Sequence, residues 1–242
     1  MTALTEAELL KLRSTRTFAA IAGTAAALSL VLTALAASGG GHHDPRALLT
    51  RISIAYFVII VLLGAIGTTG EWRHRTITST VLAAPDRLRL LAAKALSYSL
   101  AGIVLSLLVT VVTMLIGMLI LDGRGQATLG VGGLADVLWR NLAIAAVLAP
   151  LGVGVGALLR NQTVTVIGSL VAAAVLEPAL LAAVPDVGRF GPLFGAPSGI
   201  LGCAAAAANR LLAPGLALAV LLAWAAVAFP AAAARLRGRD LV

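Results

Sequence analysis

Cysteine, lysine, aromatic side chains and charge are all scarce in this sequence, and each scarcity removes a class of function. A single cysteine in 242 residues excludes an internal disulfide and a cysteine-built metal centre. Cys203 lies in an alanine-rich run and is expected to be a small apolar side chain. Only two lysines occur, Lys11 after Leu10 and Lys94 after Ala93. No Gly-Lys-Ser/Thr phosphate loop therefore exists, and the chain holds no nucleotide through one. Aromatics make up 4% of the residues, which leaves no platform for nucleic acid. Charged residues are 12%, about half the share of a soluble domain. No His, Asp and Glu residues converge at one depth, as a membrane enzyme requires, so neither a catalytic residue nor a metal site is expected. His42, His43 and Asp44 adjoin in a glycine-rich loop, without the spacing that favours a shared metal ion.

What remains is apolar. Hydrophobic residues are 60% of the chain and the mean hydropathy is +1.02. A helix that is apolar all round must be buried in protein or in lipid, and at this chain length lipid is the sufficient sink. Six apolar stretches, at residues 18–38, 49–70, 95–121, 138–159, 163–184 and 214–234, can each cross ~30 Å of hydrocarbon as a helix. Their small side chains let backbones approach closely, which is how membrane helices associate. The expected fold is one all-α transmembrane domain over residues 1–242, with six transmembrane helices and no internal repeat. Gly152, Gly154 and Gly156 form a GxGxG run. The run follows Pro150 inside a span rather than a strand, so close packing or a kink is expected there and not a dinucleotide.

The net charge of +8 sits in short clusters between spans, the pattern of topology rather than of nucleic-acid binding. Twelve Lys and Arg residues fall on the side of the N-terminus, the 71–94 loop, Arg160 and the C-terminal tail. Six fall on the other: Arg46, Arg51, Arg124, Arg140, Arg189 and Arg210. This bias predicts that both termini are cytoplasmic, and an even number of spans agrees. The first apolar run is expected to be a span rather than a cleaved signal peptide. Ahead of it, residues 4–16 carry the capping-box pattern Thr5-x-x-Glu8, followed by Lys11, Arg13 and Arg16. They predict a helix lying along the cytoplasmic membrane surface. Residues 185–213, with Pro192 and Pro197, are too broken for a span and too apolar for an open loop. Short helices re-entering the outer leaflet under protein cover are expected.

Residues 70–94, GEWRHRTITSTVLAAPDRLRLLAAK, carry the most information. Pro85 would end one short helix and Asp86 could cap the next, giving a compact charged platform tied to two spans. By residue type alone this is either a surface that passes a push from a soluble partner into the membrane or a basic loop that fixes topology. Gly70-Glu71, an aromatic, Arg73-His74, Thr76-Ile77, Leu82-x-x-Pro85-x-Arg87 and Ala93-Lys94 resemble the hallmark loop of ABC type-2 transporter permeases. More narrowly, they are similar to six-span permeases whose loop runs GE-aromatic-RHGT. Arg160-Asn161-Gln162, and Glu177-Pro178 ahead of a proline-punctuated segment, are similar to the matching parts of those proteins. The sequence departs at Arg75, where the family usually has glycine.

The resemblance implies a permease subunit of the bacterial cytoplasmic membrane. Two six-span subunits, expected as a homodimer, would form the pathway. Two copies of a separate ABC ATPase, binding ATP and Mg, would drive export. In such a protein residues 71–85 form a coupling helix between spans two and three. Glu71, Arg73, His74, Arg75, Thr76, Pro85 and Arg87 would then be the ATPase-coupling residues, with the interfacial helix of Glu8, Lys11, Arg13 and Arg16 alongside. The implied partners are the ATPase, the second permease and membrane lipids, and no cofactor belongs to this chain. The competing classes are an ATP-independent secondary transporter, which needs midplane charges or a repeat, and a scaffold that recruits a soluble partner. Glu177 is the only acidic residue well inside a span. It is either a structural, gate-stabilising group that snorkels or bridges to Arg189 or Arg210, or a group that handles substrate or protons. Sixteen arginines against two lysines fit a GC-rich bacterial genome.

Overall fold

A computed structural model describes residues 2–39, 44–73, 86–202 and 211–237. Among these the protein is all helix, without strands, and 88% of it is helical. The helices are α1 (Thr2–Ser14), α2 (Arg16–Ser38), α3 (Pro45–Arg73), α4 (Arg87–Gly123) and α5 (Val131–Leu159). Next, α6 (Gln162–Val171) runs through a π-helical segment (Ala172–Leu176) into α7 (Glu177–Ala183). Two short helices, α8 (Pro185–Gly188) and α9 (Gly195–Leu201), precede α10 (Pro214–Arg237). Six of these stretches are long and apolar enough to cross a membrane: α2, α3, α4, α5, the continuous α6–α7 helix and α10.

The spans overrun the apolar stretches that announce them. α3 ends at Arg73 rather than at residue 70. α4 begins at Arg87, ahead of residue 95, and its 37 residues reach about 55 Å at 1.5 Å per residue, well beyond the hydrocarbon. Hydrogen bonding carries a helix through polar residues once it is nucleated, so apolar boundaries understate helix ends. The loop expected at 71–94 is shortened accordingly. At its far end Asp86 caps α4 as its residue type predicts, accepting from the backbone N–H of Leu88 at 3.1 Å and Arg89 at 3.2 Å.

The centre of the bundle is the pair α3 and α5. These bury 61% and 56% of their apolar stretch inside the protein, against 17% for α2 and 22% for α10. Glycine makes the pair possible. A Cβ at Gly64 would lie 2.0 Å from the Ala149 carbonyl oxygen, and one at Gly152 would lie 2.1 Å from that of Val61. The GxGxG run is thus a packing device: Gly152 and Gly156 face α3, while Gly154 faces Ala228 of α10. Lipid supplies no hydrophobic drive between helices, so such close contact and interhelical hydrogen bonds hold them. Tyr56 of α3 bonds Ser106 at 3.1 Å and Thr110 at 2.9 Å on α4. Asn141 of α5 donates to Ser53 at 3.0 Å and Thr110 at 3.1 Å. All of these groups are buried, and together they join three spans.

Polar girdles close both ends. At one, the Asp136 carboxylate accepts from Arg46, from Arg140 at 2.9 Å and from the Trp139 indole at 3.0 Å. Arg140 also reaches the Ile200 carbonyl of α9 at 2.5 Å. Arg124 donates to the carbonyls of Ala37 at 2.5 Å and Gly39 at 2.9 Å, placing a cation on the carbonyl end of α2, where the helix dipole favours it. The opposite end, where α1 packs on α4, holds the candidate site.

Candidate functional site

Four charged side chains meet where α1, the end of α3 and the start of α4 converge. Lys94 donates to Glu8 Oε2 at 2.8 Å and to Glu71 Oε1 at 2.9 Å. Lys11 donates to the same Glu71 oxygen. Glu8, Glu71 and Lys94 are all buried, at 6%, 3% and 3% exposure. Buried ions are tolerated only when paired and hydrogen-bonded, and two ammonium groups alternating with two carboxylates satisfy that condition with no net charge. Lysine suits the central place because its compact ammonium has three donors. The Lys94 ammonium also stands over the Tyr98 ring, 5.9 Å from its centre. The α1 helix is held further by Ser97, whose hydroxyl donates to the Thr5 carbonyl at 3.2 Å.

A second element closes the same end. After α5 the chain turns at Arg160 in the left-handed conformation, with φ of 55°, a place where glycine is usual. Arginine occupies it while its side chain joins three helix ends. The guanidinium stands 4.7 Å from the Trp72 ring of α3 and donates to the Arg235 carbonyl of α10 at 2.5 Å. Asn161 then caps α6, accepting from Val164 N–H at 3.1 Å. Gln162 accepts from Arg73, the last residue of α3, at 3.3 Å. The Arg160-Asn161-Gln162 turn and the Glu71–Arg73 terminus are therefore one structural unit.

The family model of ABC-2 family transporter proteins matches residues 4–175, a stretch that takes in every residue of this end except Arg235. The chain belongs to that family. Among curated proteins none matches it significantly. An ABC-2 permease is a membrane subunit of a transporter, generally not catalytic itself, and normally pairs with an ABC ATPase.

Against the residues named from the sequence, this ABC-2 permease departs in three places. Thr5 does not cap α1, which starts at Thr2. Glu8, its supposed capping-box partner, is instead drawn into the charge cluster because Lys94 offers a full charge. Glu71, expected to face the ATPase, turns inward to the two lysines. Among the described residues Glu177 bridges to no arginine: its carboxylate accepts the backbone N–H groups of Leu193 at 3.0 Å, Phe194 at 2.6 Å and Gly195 at 3.3 Å. It thereby caps α9, and Arg189 pairs with Asp186 at 3.3 Å instead. Pro178, which lacks the N–H a regular helix would direct at Ala174, follows closely on the π-helical segment. Gly191 allows the carboxylate in, since a Cβ there would fall 2.3 Å from Glu177 Oε2.

Arg13 and Arg16 are exposed, as is Arg73. His74, Arg75, Thr76 and Pro85 lie outside the described residues, as do His42, His43, Cys203 and Arg210. Arg87 is the first residue of α4. Lys94, the centre of the cluster, enters the sequence reading only as the end of the resembling loop and not as a candidate site residue. Its signal was rarity: in an arginine-rich chain, both lysines are in the cluster.

The role of Glu177 predicts a distinction between two variants. Glu177→Ala leaves buried N–H groups unpaired and is expected to cost about 1–3 kcal/mol of stability. Glu177→Gln keeps an acceptor and should cost clearly less. Thermal unfolding of the two purified variants decides; alanine matching glutamine would show that the carboxylate does not hold α9.

Proposed function

We propose that this permease is the membrane-spanning subunit of an ATP-driven exporter, with both termini cytoplasmic, working as a homodimer with two ATPase subunits. The observation that carries the proposal is the buried cluster of Glu8, Lys11, Glu71 and Lys94. In an ABC-2 chain it lies at the base of the loop that would meet the ATPase. ATP and Mg would bind to the partner, since this chain lacks a phosphate loop. Cytoplasmic orientation is supported by the twelve-to-six bias of Lys and Arg.

In this reading Glu71 is a positioning residue rather than a docking contact. Residues 74–85 connect α3 to α4, and the ATPase would push on them and on exposed Arg73. The charge cluster binds α1, α3 and α4 to each other, so a push would move them as one body. α3 would pass that displacement to α5 through the glycine contacts, because packed interfaces shift between discrete arrangements rather than deform. Export is the direction expected from the family resemblance.

The test reconstitutes the permease with its co-purified ATPase in vesicles. Replacing residues 74–85 by a Gly/Ser linker of equal length is expected to leave ATP hydrolysis running while transport falls at least ~10-fold, the loss of a coupled step worth about 1.4 kcal/mol or more. Transport at full rate in ATP-free vesicles would overturn the proposal.

A further inference from the structure

A cavity of about 490 Å³ opens at the charge-cluster end between the α1–α2 elbow and the start of α6, with α3 as its floor. α2 and α6 both pack on α3 but make at most marginal contact with each other, so the cavity is a slot open to the side of the bundle. Its walls change character along their length. Leu63, Ile66, Phe18 and Ile21 line the deep part, and Lys11, Glu71, Arg73, Gln162 and Thr15 line the mouth. From Leu63 to Arg73 is about 15 Å of helix, half of the ~30 Å hydrocarbon thickness. With Arg73 placed at headgroup level, the slot spans the acyl region of one leaflet.

Its mouth is cationic. Within the cluster Lys11 and Lys94 are balanced by Glu8 and Glu71, which leaves Arg73 in surplus. Among the described residues no carboxylate pairs with Arg73; its partner is the neutral Gln162 amide. Arg13 and Arg16, both exposed, add positive charge at the same elbow. An apolar slot one leaflet deep with an uncompensated guanidinium at its polar end complements an amphiphile with an anionic head.

We propose that the slot binds one anionic phospholipid from the leaflet on the Lys94 side, its acyl chain along Phe18, Ile21, Leu63 and Ile66 and its phosphate at Arg73 and Lys11. The binding does not depend on ATP-driven transport. Two other cavities among the described residues do not compare: one beside Phe229 and Pro230 is lined only by apolar side chains, and one beside Arg51 lies at the opposite end of the bundle.

The experiment strips lipid from the full-length protein in detergent, then adds phosphatidylglycerol or phosphatidylcholine of identical acyl composition and counts retained lipid by native mass spectrometry. One phosphatidylglycerol per chain is expected, retained at least ~5-fold better than phosphatidylcholine, as one uncompensated basic group near a lipid surface implies. Arg73→Gln should lower the preference about five-fold, the contribution of one basic group. Ile21→Trp, which fills the slot, should abolish retention. Arg51→Gln, at the far end, should leave it unchanged. Equal retention of the two lipids, or a preference untouched by Arg73→Gln or Ile21→Trp, overturns the proposal. So does displacement of the lipid by millimolar inorganic phosphate, which marks a free-anion site, or loss of lipid whenever two chains associate, which marks a subunit contact.

Discussion

Replacing Lys94 by methionine is expected to cost about 3–5 kcal/mol of stability, the range observed when one partner of a buried ion pair is removed. The size follows from what stays behind. Glu8 and Glu71 both point at the Lys94 ammonium, at 2.8 Å and 2.9 Å, and neither has enough exposure to recover its charge in water. Without Lys94, Glu71 retains Lys11, which is partly exposed at 43%, whereas Glu8 loses the ammonium that neutralises it. Glu8→Leu combined with Lys94→Met removes one buried charge of each sign and leaves Glu71 facing Lys11. That double variant should recover most of the loss, because a buried pair exchanged for apolar groups is often close to neutral. Unfolding titrations in mixed micelles measure both. A Lys94→Met protein within about 1 kcal/mol of the parent would show that the cluster is solvated and carries no mechanical connection between α1 and the spans.

The same substitutions separate stability from coupling. If the cluster transmits motion, the double variant will be stable but loosely joined, hydrolysing ATP with its partner while transporting less. A structural role alone predicts that recovered stability restores transport in full.

The sequence made some of this legible and hid the rest for identifiable reasons. Six spans were readable because lipid demands long apolar helices with every backbone group paired internally, and the composition has little else to offer. The packing role of Gly152 and Gly156 was readable because their setting, inside an apolar span after Pro150, excluded the alternative. The cluster was not readable: Glu8 and Lys94 are 86 positions apart, and nothing local distinguishes a glutamate that will be buried from one that will not. The partner of Glu177 was hidden differently. Backbone N–H groups exist at almost every position, so no residue type marks the segment around Phe194 that captures a carboxylate. Arg160 shows a third case, since a left-handed turn is normally announced by glycine. Here the guanidinium's contacts with Trp72 and Arg235 offset the backbone preference.

The glycine seam between α3 and α5 gives the other large effect: Gly64→Val is expected to abolish the folded bundle. Even the first added carbon would lie 2.0 Å from the Ala149 carbonyl oxygen and 2.9 Å from the Val153 nitrogen. Both obstacles are backbone, which no rotamer change can move aside. The two helices must therefore separate, and the separation propagates. Gly152 and Gly156 lose contact with Val61 and Ala65, and the hydrogen bond from Asn141 to Ser53 is stretched. Core overpacking alone costs about 1–3 kcal/mol. Losing the interhelical bonds of three spans as well brings the cost to the lower end of the roughly 5–15 kcal/mol that holds a typical folded protein together. Gly168→Ala supplies the comparison, because nothing stands within 4 Å of its added carbon and alanine is the better helix former. Expression followed by size-exclusion chromatography in mild detergent reads the difference. Gly168→Ala should elute with the parent, and Gly64→Val should be lost to aggregate. A monodisperse, thermally stable Gly64→Val protein would mean that α3 and α5 do not meet at this depth, and the path by which α3 would move α5 would fall with it.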